Sequence, residues 1–236
     1  MTLRRSLVLA LALFAVPAAL AACSSGPAAV PTIPPATPTP VVSEHPTAPT
    51  FTYPPECPTA QPTAFTADDV RLVTISTDKG DIVMEIKGAL SPIAAANFAS
   101  LASCGFYDGV VFHRVVTGFV IQGGDGQFGR AGNIIDGVVG TGGPPYKIKD
   151  EPVTTVYGRG TVAMARTAQP DSVGSQFFIV LDDAAAKALG APEYNNYQII
   201  GTVTSGMEAV DAIAAAADQE IPTSPIVMTK VTVTTP

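Results

Sequence analysis

Hydrophobic and polar residues alternate along two neighbouring segments of the chain, 70–77 and 81–86. Alternation with a period of two is typical of strands that bury one face. Asp78, Lys79 and Gly80 lie between the segments, and the glycine stands where a hairpin turn requires positive φ. We therefore predict a β-hairpin at this point of the chain.

Two other segments show helical spacing. Ser91 offers an N-cap followed by proline in the first turn, and apolar residues then recur at helical spacing from Pro92 to Ser103. Gly105 follows at a position where helices commonly end. A second helix is predicted over 207–217, whose apolar residues also fall on one side.

The remaining apolar runs are short and predict strands at 110–116, 119–123, 161–166, 176–181, 198–204 and 226–234. Many short strands, glycine-rich turns and only two substantial helices favour a mainly β fold, a closed antiparallel barrel. The segment 67–236 is long enough to form one domain with a sizeable core.

The first 22 residues have the composition of an export signal. Arg4 and Arg5 precede an apolar run from Leu7 to Ala22, which is short for a membrane-spanning helix. The run ends in Leu-Ala-Ala before Cys23, which resembles a bacterial lipobox whose cysteine is acylated. The alternative is an ordinary signal peptide followed by a coincidental cysteine. We predict a lipoprotein signal peptide over 1–22 and a protein lipid-anchored through Cys23 on the extracytoplasmic side of a bacterial membrane.

A proline- and threonine-rich segment follows Cys23. Between residues 24 and 66 lie 12 of the 22 prolines, and Glu44 and Glu56 are the only charged residues. Such a composition favours polyproline II and leaves little to pack. We predict a disordered stalk over 23–66, with O-glycosylation or recognition by a proline-binding module as alternative reasons for its composition.

The charge balance excludes some partners. The chain has 13 basic and 20 acidic residues and a net charge of −7, and loss of Arg4 and Arg5 with the signal peptide would make it more acidic. A domain of this charge without a basic run is not expected to bind nucleic acid or an anionic membrane surface. Membrane contact is expected only through the anchor, and nothing in the sequence indicates more than a monomer.

Two cysteines remain once Cys23 is acylated. Cys57 and Cys104 are an even pair in a compartment that would be oxidising. A disulfide between them would join the end of the stalk to the end of the first helix. Two free thiols are equally compatible with the sequence, because bonding depends on how closely the fold brings the Cα atoms.

Three ordered motifs carry the most specific signal. Residues 112–125 set one arginine and one glutamine among aromatic and aliphatic residues. Val-Ala-Met-Ala-Arg follows at 162–166, and Gly-Ser-Gln-Phe-Phe-Ile at 174–179. Together they resemble the signature of the cyclophilins, peptidyl-prolyl cis/trans isomerases with a closed eight-stranded barrel capped by helices. The predicted order of elements is also similar to that family, so the resemblance covers the whole domain.

The resemblance implies a catalyst without a nucleophile, metal or cofactor, and we expect none. Rotation of an Xaa-Pro bond breaks no covalent bond, so the enzyme must bind the twisted amide more tightly than either planar state. A permanently charged guanidinium is suited to donate to the prolyl nitrogen as its lone pair localises. By resemblance, Arg114 is this catalytic residue.

The resemblance also implies a site for proline-containing polypeptides. Strand alternation places Val120 and Gln122 on one face, and likewise Gln176 and Phe178. The implied substrate-binding residues are Phe119, Val120 and Phe178 around the proline ring, Gln122 and its supporting Gln176 on the peptide backbone, Ala165 and Arg166 through their main chain, and Tyr197 in the outer pocket.

Other sites are less well supported. His113 lacks the partners of a hydrolase, since no Gly-x-Ser-x-Gly elbow exists, and no ligand cluster indicates a metal. We expect it to be a hydrogen-bonded core residue. The segment 124–129 matches the G-x-G-x-x-G dinucleotide pattern, but glycines rather than a helix follow it.

Two functions therefore remain. The first is an isomerase that accelerates rotation of Xaa-Pro bonds in exported proteins. The second is a catalytically weak cyclophilin-fold binding or chaperone module for proline-containing segments. The presence of Arg114 together with the hydrophobic pocket residues favours the isomerase, because a binding module could lose the arginine and keep the pocket.

Overall fold

The computed structural model describes residues 51–135, 137–192 and 196–236. The predicted signal peptide, Cys23 and the predicted stalk up to residue 50 lie outside these residues. Within the described ranges, no helix is both long and apolar enough to cross a membrane.

The described residues form ten strands and three helices. In chain order they are β1 Val70–Thr77, β2 Gly80–Lys87, α1 Pro92–Ser103, β3 Arg114–Val116, β4 Val120–Gly123, β5 Gly129–Arg130, β6 Asn133–Ile134, β7 Thr161–Met164, β8 Phe177–Val180, α2 Asp183–Leu189, β9 Ile199–Ser205, α3 Met207–Ala216 and β10 Lys230–Thr234. The predicted first hairpin is confirmed by the full pairing of β1 with β2, and the two predicted helices correspond to α1 and α3.

Eight strands form one antiparallel sheet in the order β10-β1-β2-β9-β7-β8-β4-β3, while β5 and β6 pair separately. The sheet is an open, curled half-barrel, so the prediction of a closed barrel is wrong. Among the described residues, no ladder joins the edge strands β10 and β3. An isolated bridge between Val111 and Val227, just ahead of these strands, links the two edges, and backbone hydrogen bonds between residues 109–112 and 226–228 accompany it.

The prediction of two helices was also wrong, because the described residues form three. The third, α2, begins after Asp182, whose carboxylate accepts a hydrogen bond from the backbone N–H of Ala185 at 2.7 Å. It has seven residues, mostly alanine. Two turns of small residues are too few to give a recognisable helical period.

The start of α1 is capped from a distant part of the chain. Ser91 occupies the N-cap position as predicted, but its side chain makes no capping hydrogen bond. The carboxylate of Glu151 instead accepts hydrogen bonds from the backbone N–H groups of Ile93 and Ala94, both at 2.9 Å. A negative charge at this helix end is favourable, because the unpaired N–H groups carry partial positive charge.

Two hydrophobic clusters lie on opposite faces of the sheet. The inner cluster contains Ile121, Phe177 and Ile179, together with apolar residues of α1 and α3. The outer cluster contains the alternate residues Val120 and Phe178, together with apolar residues of α2. Successive side chains of a strand point to opposite faces, so β4 and β8 contribute to both clusters.

Residues 51–66 pack on the domain, although the sequence placed them in the stalk. Phe51, Tyr53 and Phe65 are partly buried against the inner cluster. Cys57 forms a disulfide with Cys104, with the two Cα atoms 5.2 Å apart. The folded part of the chain therefore extends N-terminal to the boundary predicted at residue 67. The aromatic residues explain this, since they supply packing surface that proline and threonine do not.

Candidate active site

Arg114 lies on β3 directly opposite Gln122 on β4. Its Nε donates to Glu220 Oε1 at 2.7 Å, and its Nη1 donates to Gln122 Oε1 at 3.4 Å. The side chain is 39% exposed, so the guanidinium lies at the protein surface. Arg114 therefore presents a permanent positive charge that is held on one side by protein groups.

The strand register places Arg114 beside the other predicted site residues. Gln122 pairs with Arg114 on one side and with Phe178 of β8 on the other. Directly opposite residues in antiparallel strands have side chains on the same face. Arg114, Gln122 and Phe178 thus form a row on the face of the sheet that carries the outer cluster.

A chain of side-chain hydrogen bonds continues from Gln122. Its Nε2 donates to Gln176 Oε1 at 3.0 Å. The Nε2 of Gln176 donates in turn to the carbonyls of Gly140 and Gly142 at 2.8 and 2.9 Å. Gln176 therefore connects the strand that bears Gln122 to the loop at 140–142, which is a structural basis for the supporting role expected of it.

A cavity of about 190 Å³ opens beside this row. Its lining includes seven of the predicted substrate-binding residues, among them Phe119, Phe178 and Tyr197. The rings of Phe178 and Tyr197 meet edge to face with centroids 5.3 Å apart. Leu189 of α2 completes the wall. It was not among the predicted site residues, because α2 itself was not predicted.

Hydrogen bonds between the Tyr157 hydroxyl and the backbone of Tyr197 hold Tyr197 in this wall. The hydroxyl of Tyr157 donates to the Tyr197 carbonyl at 2.8 Å and accepts from the Tyr197 N–H at 3.2 Å. Burial raises the pKa of Tyr157 to about 12, so its hydroxyl stays neutral and can play both parts. The sequence did not indicate Tyr157.

Gln176 and Arg114 lie outside this cavity. Gln176 lines an adjoining cavity of about 210 Å³ that shares Gln122, Ala165 and Arg166 with the first. Arg114 borders a wider cavity of about 990 Å³, together with Glu220. Gln122, which contacts Arg114, lines the first cavity, so the arginine stands at its edge rather than in its wall.

Ala165 and Arg166, which were predicted to contact the substrate through their main chain, already make contacts within the protein. The N–H of Ala165 donates to the Gln176 carbonyl at 2.8 Å and is not available to a substrate. The Arg166 side chain forms an ion pair with Asp150 at 3.0 Å and donates to the Gln169 carbonyl, also at 3.0 Å. These contacts hold the Arg166 guanidinium within the 150–172 region.

Asp125 is a central structural residue that the sequence did not indicate. It is fully buried. Its Oδ1 accepts from the N–H groups of Gln127 and Phe128 at 3.0 and 2.8 Å, and its Oδ2 accepts from those of Gly140 and Gly142 at 2.7 and 3.0 Å. A side chain at Gly142 would collide with this carboxylate. The segment 124–129 is therefore a turn built around Asp125, with no helix after it.

His113 is buried next to the site, at 4% exposure. The Val111 backbone and the Gln176 side chain lie near the ring and favour its charged form, but neither ring nitrogen reaches full hydrogen-bond geometry among the described residues, so the expected hydrogen bonds are not well formed. Burial lowers its pKa, which the nearby charge of Asp125 partly offsets. Across the described ranges, no three His, Cys, Asp or Glu side chains are placed to hold a metal ion.

Comparisons with known proteins match the same family across the domain. The family model described as cyclophilin type peptidyl-prolyl cis-trans isomerase/CLD matches residues 72–233. A probable peptidyl-prolyl cis-trans isomerase of Brucella abortus is 40% identical over 165 residues, covering 67% of this chain and 79% of the relative. Peptidyl-prolyl cis-trans isomerase A of Dickeya dadantii is 34% identical over 177 residues, covering 72% and 88%.

Solved structures agree with the sequence relatives. A Cryptosporidium parvum cyclophilin type peptidyl-prolyl cis-trans isomerase superposes with a TM-score of 0.58 at 27% identity, covering 71% of this chain and 99% of that one. A second structure of that protein, in the presence of the dipeptide Ala-Pro, gives the same TM-score at 28% identity, covering 70% and 99%. The chain belongs to the cyclophilin-type peptidyl-prolyl cis-trans isomerases.

Proposed function

We propose that this isomerase accelerates rotation of Xaa-Pro bonds by stabilising the twisted amide with Arg114, next to an apolar pocket that holds the proline ring. The observation that carries the proposal is the strand register that sets Arg114, Gln122 and Phe178 side by side. It brings a permanent cation and an amide to the edge of an aromatic cavity.

The cavity of about 190 Å³ binds the proline ring between Phe119, Phe178 and Tyr197. Burial of the ring supplies affinity and excludes water from the rotating bond. The residue before proline lies toward the adjoining cavity, where Gln122 faces the peptide backbone. The related structure that was obtained in the presence of Ala-Pro supports an Xaa-Pro unit as the ligand.

Arg114 acts on the bond as it twists. The uncatalysed barrier is about 18–20 kcal/mol and reflects the partial double bond between carbon and nitrogen. Twisting localises the nitrogen lone pair, which then accepts a hydrogen bond from the guanidinium. One charge-assisted hydrogen bond contributes about 1.5–3 kcal/mol, which corresponds to about one to two powers of ten in rate. The pocket and the backbone contacts supply the remaining acceleration.

The proposed location is the extracytoplasmic side of a bacterial membrane, with the chain anchored through lipid on Cys23. The basic and apolar composition of residues 1–22 supports export. The disulfide between Cys57 and Cys104 is consistent with an oxidising compartment. The substrates are then proline-containing segments of exported proteins, and the chain acts as a monomer.

The test is cis/trans exchange of an Ala-Pro peptide, followed by NMR with the full-length protein. Arg114→Ala is expected to lower the acceleration by about one to two powers of ten. Arg159→Ala is the matched control, because Arg159 is 40% exposed and forms an ion pair of the same 2.7 Å length with Asp211. Full activity of Arg114→Ala would contradict the mechanism. Saturable peptide binding without acceleration by the unchanged protein would instead identify a binding module.

A further inference from the structure

A carboxylate that the proposed mechanism does not use lies beside Arg114. Glu220 belongs to the loop between α3 and β10, and its Oε1 lies 2.7 Å from Arg114 Nε. Its side chain is 60% exposed. An exposed acidic side chain normally samples several rotamers. Other contacts are therefore needed to hold Glu220 beside Arg114.

The loop that carries Glu220 is fastened at two points. Asp218 accepts hydrogen bonds from the Thr223 N–H at 3.0 Å and from the Thr223 hydroxyl at 2.6 Å. These bonds lower the pKa of Asp218, so its carboxylate stays charged and the turn stays closed across the neutral range. The Val115 N–H donates to the Glu220 carbonyl at 2.8 Å. The backbone of Glu220 is thus tied to the residue that follows Arg114.

Two contacts define the plane of the Arg114 guanidinium. Glu220 engages Nε, and Gln122 Oε1 accepts from Nη1 at 3.4 Å. Among the described residues, Nη2 has no hydrogen-bond partner. Because the guanidinium is planar and rigid, fixing two of its nitrogens fixes the direction in which the third donates.

We propose that Glu220 is a positioning residue for the isomerase reaction. It holds the guanidinium by Nε and thereby leaves the Nη2 edge free to donate to the prolyl nitrogen. Arg114 on a flexible side chain would otherwise sample several rotamers, of which only some place a donor at the rotating bond. This inference rests on the proposed catalytic role of Arg114.

The exposure of the pair limits the size of the effect. Half-exposed ion pairs change an equilibrium by no more than about fivefold. Glu220→Ala in the full-length protein is therefore expected to lower kcat for an Ala-Pro peptide by about three- to fivefold, with KM changed by less than about twofold. Glu220→Gln is expected to recover most of the loss, because its amide oxygen can still accept from Nε.

The matched control is Asp211→Ala. The Asp211 side chain is 52% exposed and forms an ion pair with Arg159 at 2.7 Å, so it resembles Glu220 in exposure and in the length of its ion pair. This variant should leave both kcat and KM unchanged. Thr223→Ala opens the turn without touching Glu220 and should lower kcat in the same direction but less. None of these exposed changes should shift thermal unfolding appreciably, so the loss in kcat can be separated from a loss of folding.

A double variant distinguishes the role proposed for Glu220 from the role proposed for Arg114. In an Arg114→Ala background, Glu220→Ala should have no further effect on kcat, since nothing remains to be positioned. If Arg114→Ala lowers kcat but Glu220→Ala does not, or if Glu220→Ala changes KM alone, the role of Glu220 is overturned and that of Arg114 stands. If Arg114→Ala itself leaves kcat unchanged, the proposed mechanism fails.

Discussion

Gln122 and Gln176 meet side chain to side chain, with Gln122 Nε2 donating to Gln176 Oε1 at 3.0 Å. The contact joins β4 to the segment immediately before β8 and fixes which way each amide faces. Because the Nε2 of Gln176 donates to carbonyls of the 140–142 loop, its Oε1 faces Gln122. Gln122 accepts from Arg114 with its own oxygen. The orientation of the substrate-facing amide is thus set from both sides.

Gln176 should be required for full activity, because its side chain supports the 140–142 loop. Gln176→Glu replaces two backbone-directed donors by an anion that faces the carbonyls of Gly140 and Gly142. Loss of two hydrogen bonds at about 0.5–1.5 kcal/mol each should lower kcat/KM for an Ala-Pro peptide by about tenfold or more. Gln127→Glu, on an exposed glutamine, is the control and should have no effect. Equal activity of the two variants would show that the loop needs no support from Gln176.

Asp125 should be the most costly polar residue to replace. Asp125→Asn keeps one acceptor oxygen but turns an amide N–H₂ toward two backbone N–H groups. Leaving such buried donors unsatisfied should lower the free energy of unfolding by about 2–4 kcal/mol, as measured by urea denaturation. Asp68→Asn, on the exposed surface, should change it by less than about 0.5 kcal/mol. A similar small change for Asp125→Asn would contradict the role of the carboxylate in holding the turn and the loop together.

The disulfide should stabilise the domain through the length of chain that it closes. Cys57 and Cys104 are separated by 47 residues, and closing such a loop contributes about 4 kcal/mol in the chain-entropy model. A domain of this size should then lose roughly 8–16 °C in Tm when the bond is removed. The measurement is thermal unfolding with and without reductant. The double variant Cys57→Ser, Cys104→Ser should melt at the reduced value and be insensitive to reductant, and an unchanged Tm on reduction would contradict the prediction.

His113 should make stability depend on pH. Burial lowers its pKa below the ordinary value of 6.5, with the charge of Arg114 acting in the same direction and that of Asp125 opposing it. The unfolded chain therefore binds a proton that the folded state does not. The stability from the neutral ring is present above about pH 6.5 and is lost as the pH falls.

The measurement for His113 is the free energy of unfolding between about pH 7.5 and pH 5. His113→Gln cannot titrate and should show a shallower fall than the unchanged protein. His45→Gln removes the only other histidine, which lies in the predicted stalk, and should leave the slope unchanged. A slope for His113→Gln as steep as that of the unchanged protein would show that other groups cause the pH dependence.

Local sequence signals predicted the elements that depend on local chemistry. The β1–β2 hairpin follows from alternation and a glycine turn, and the ends of α1 agree with the predicted Pro92 and Ser103. The shared face of Val120 and Gln122 was also predicted from alternation, whereas the pairing of Arg114 with Gln122 was not. The turn at 117–119, with Gly118 at φ 71°, brings two residues eight apart into register.

Features that depend on distant parts of the chain were not predictable in this way. Glu151 caps a helix from 58 and 57 residues away, and Glu220 reaches Arg114 from 106 residues away. Sequence periodicity carries no signal for such contacts. Closure of the sheet is a contact of the same kind, because β3 and β10 are more than 110 residues apart in the sequence. The packing of Phe51 on the domain was not predicted, because the proline-rich composition around it indicated a stalk.

In the proposed mechanism, Arg114 stabilises the twisted amide rather than the bound peptide. The most direct measurement is NMR of an Ala-Pro peptide at increasing concentrations, which yields both the affinity and the cis/trans exchange rate in the bound state. Arg114→Ala should lower the bound exchange rate by about one to two powers of ten while Kd changes by less than about threefold. An unchanged bound exchange rate, with the loss confined to Kd, would show that Arg114 only holds the peptide and would contradict the proposed mechanism.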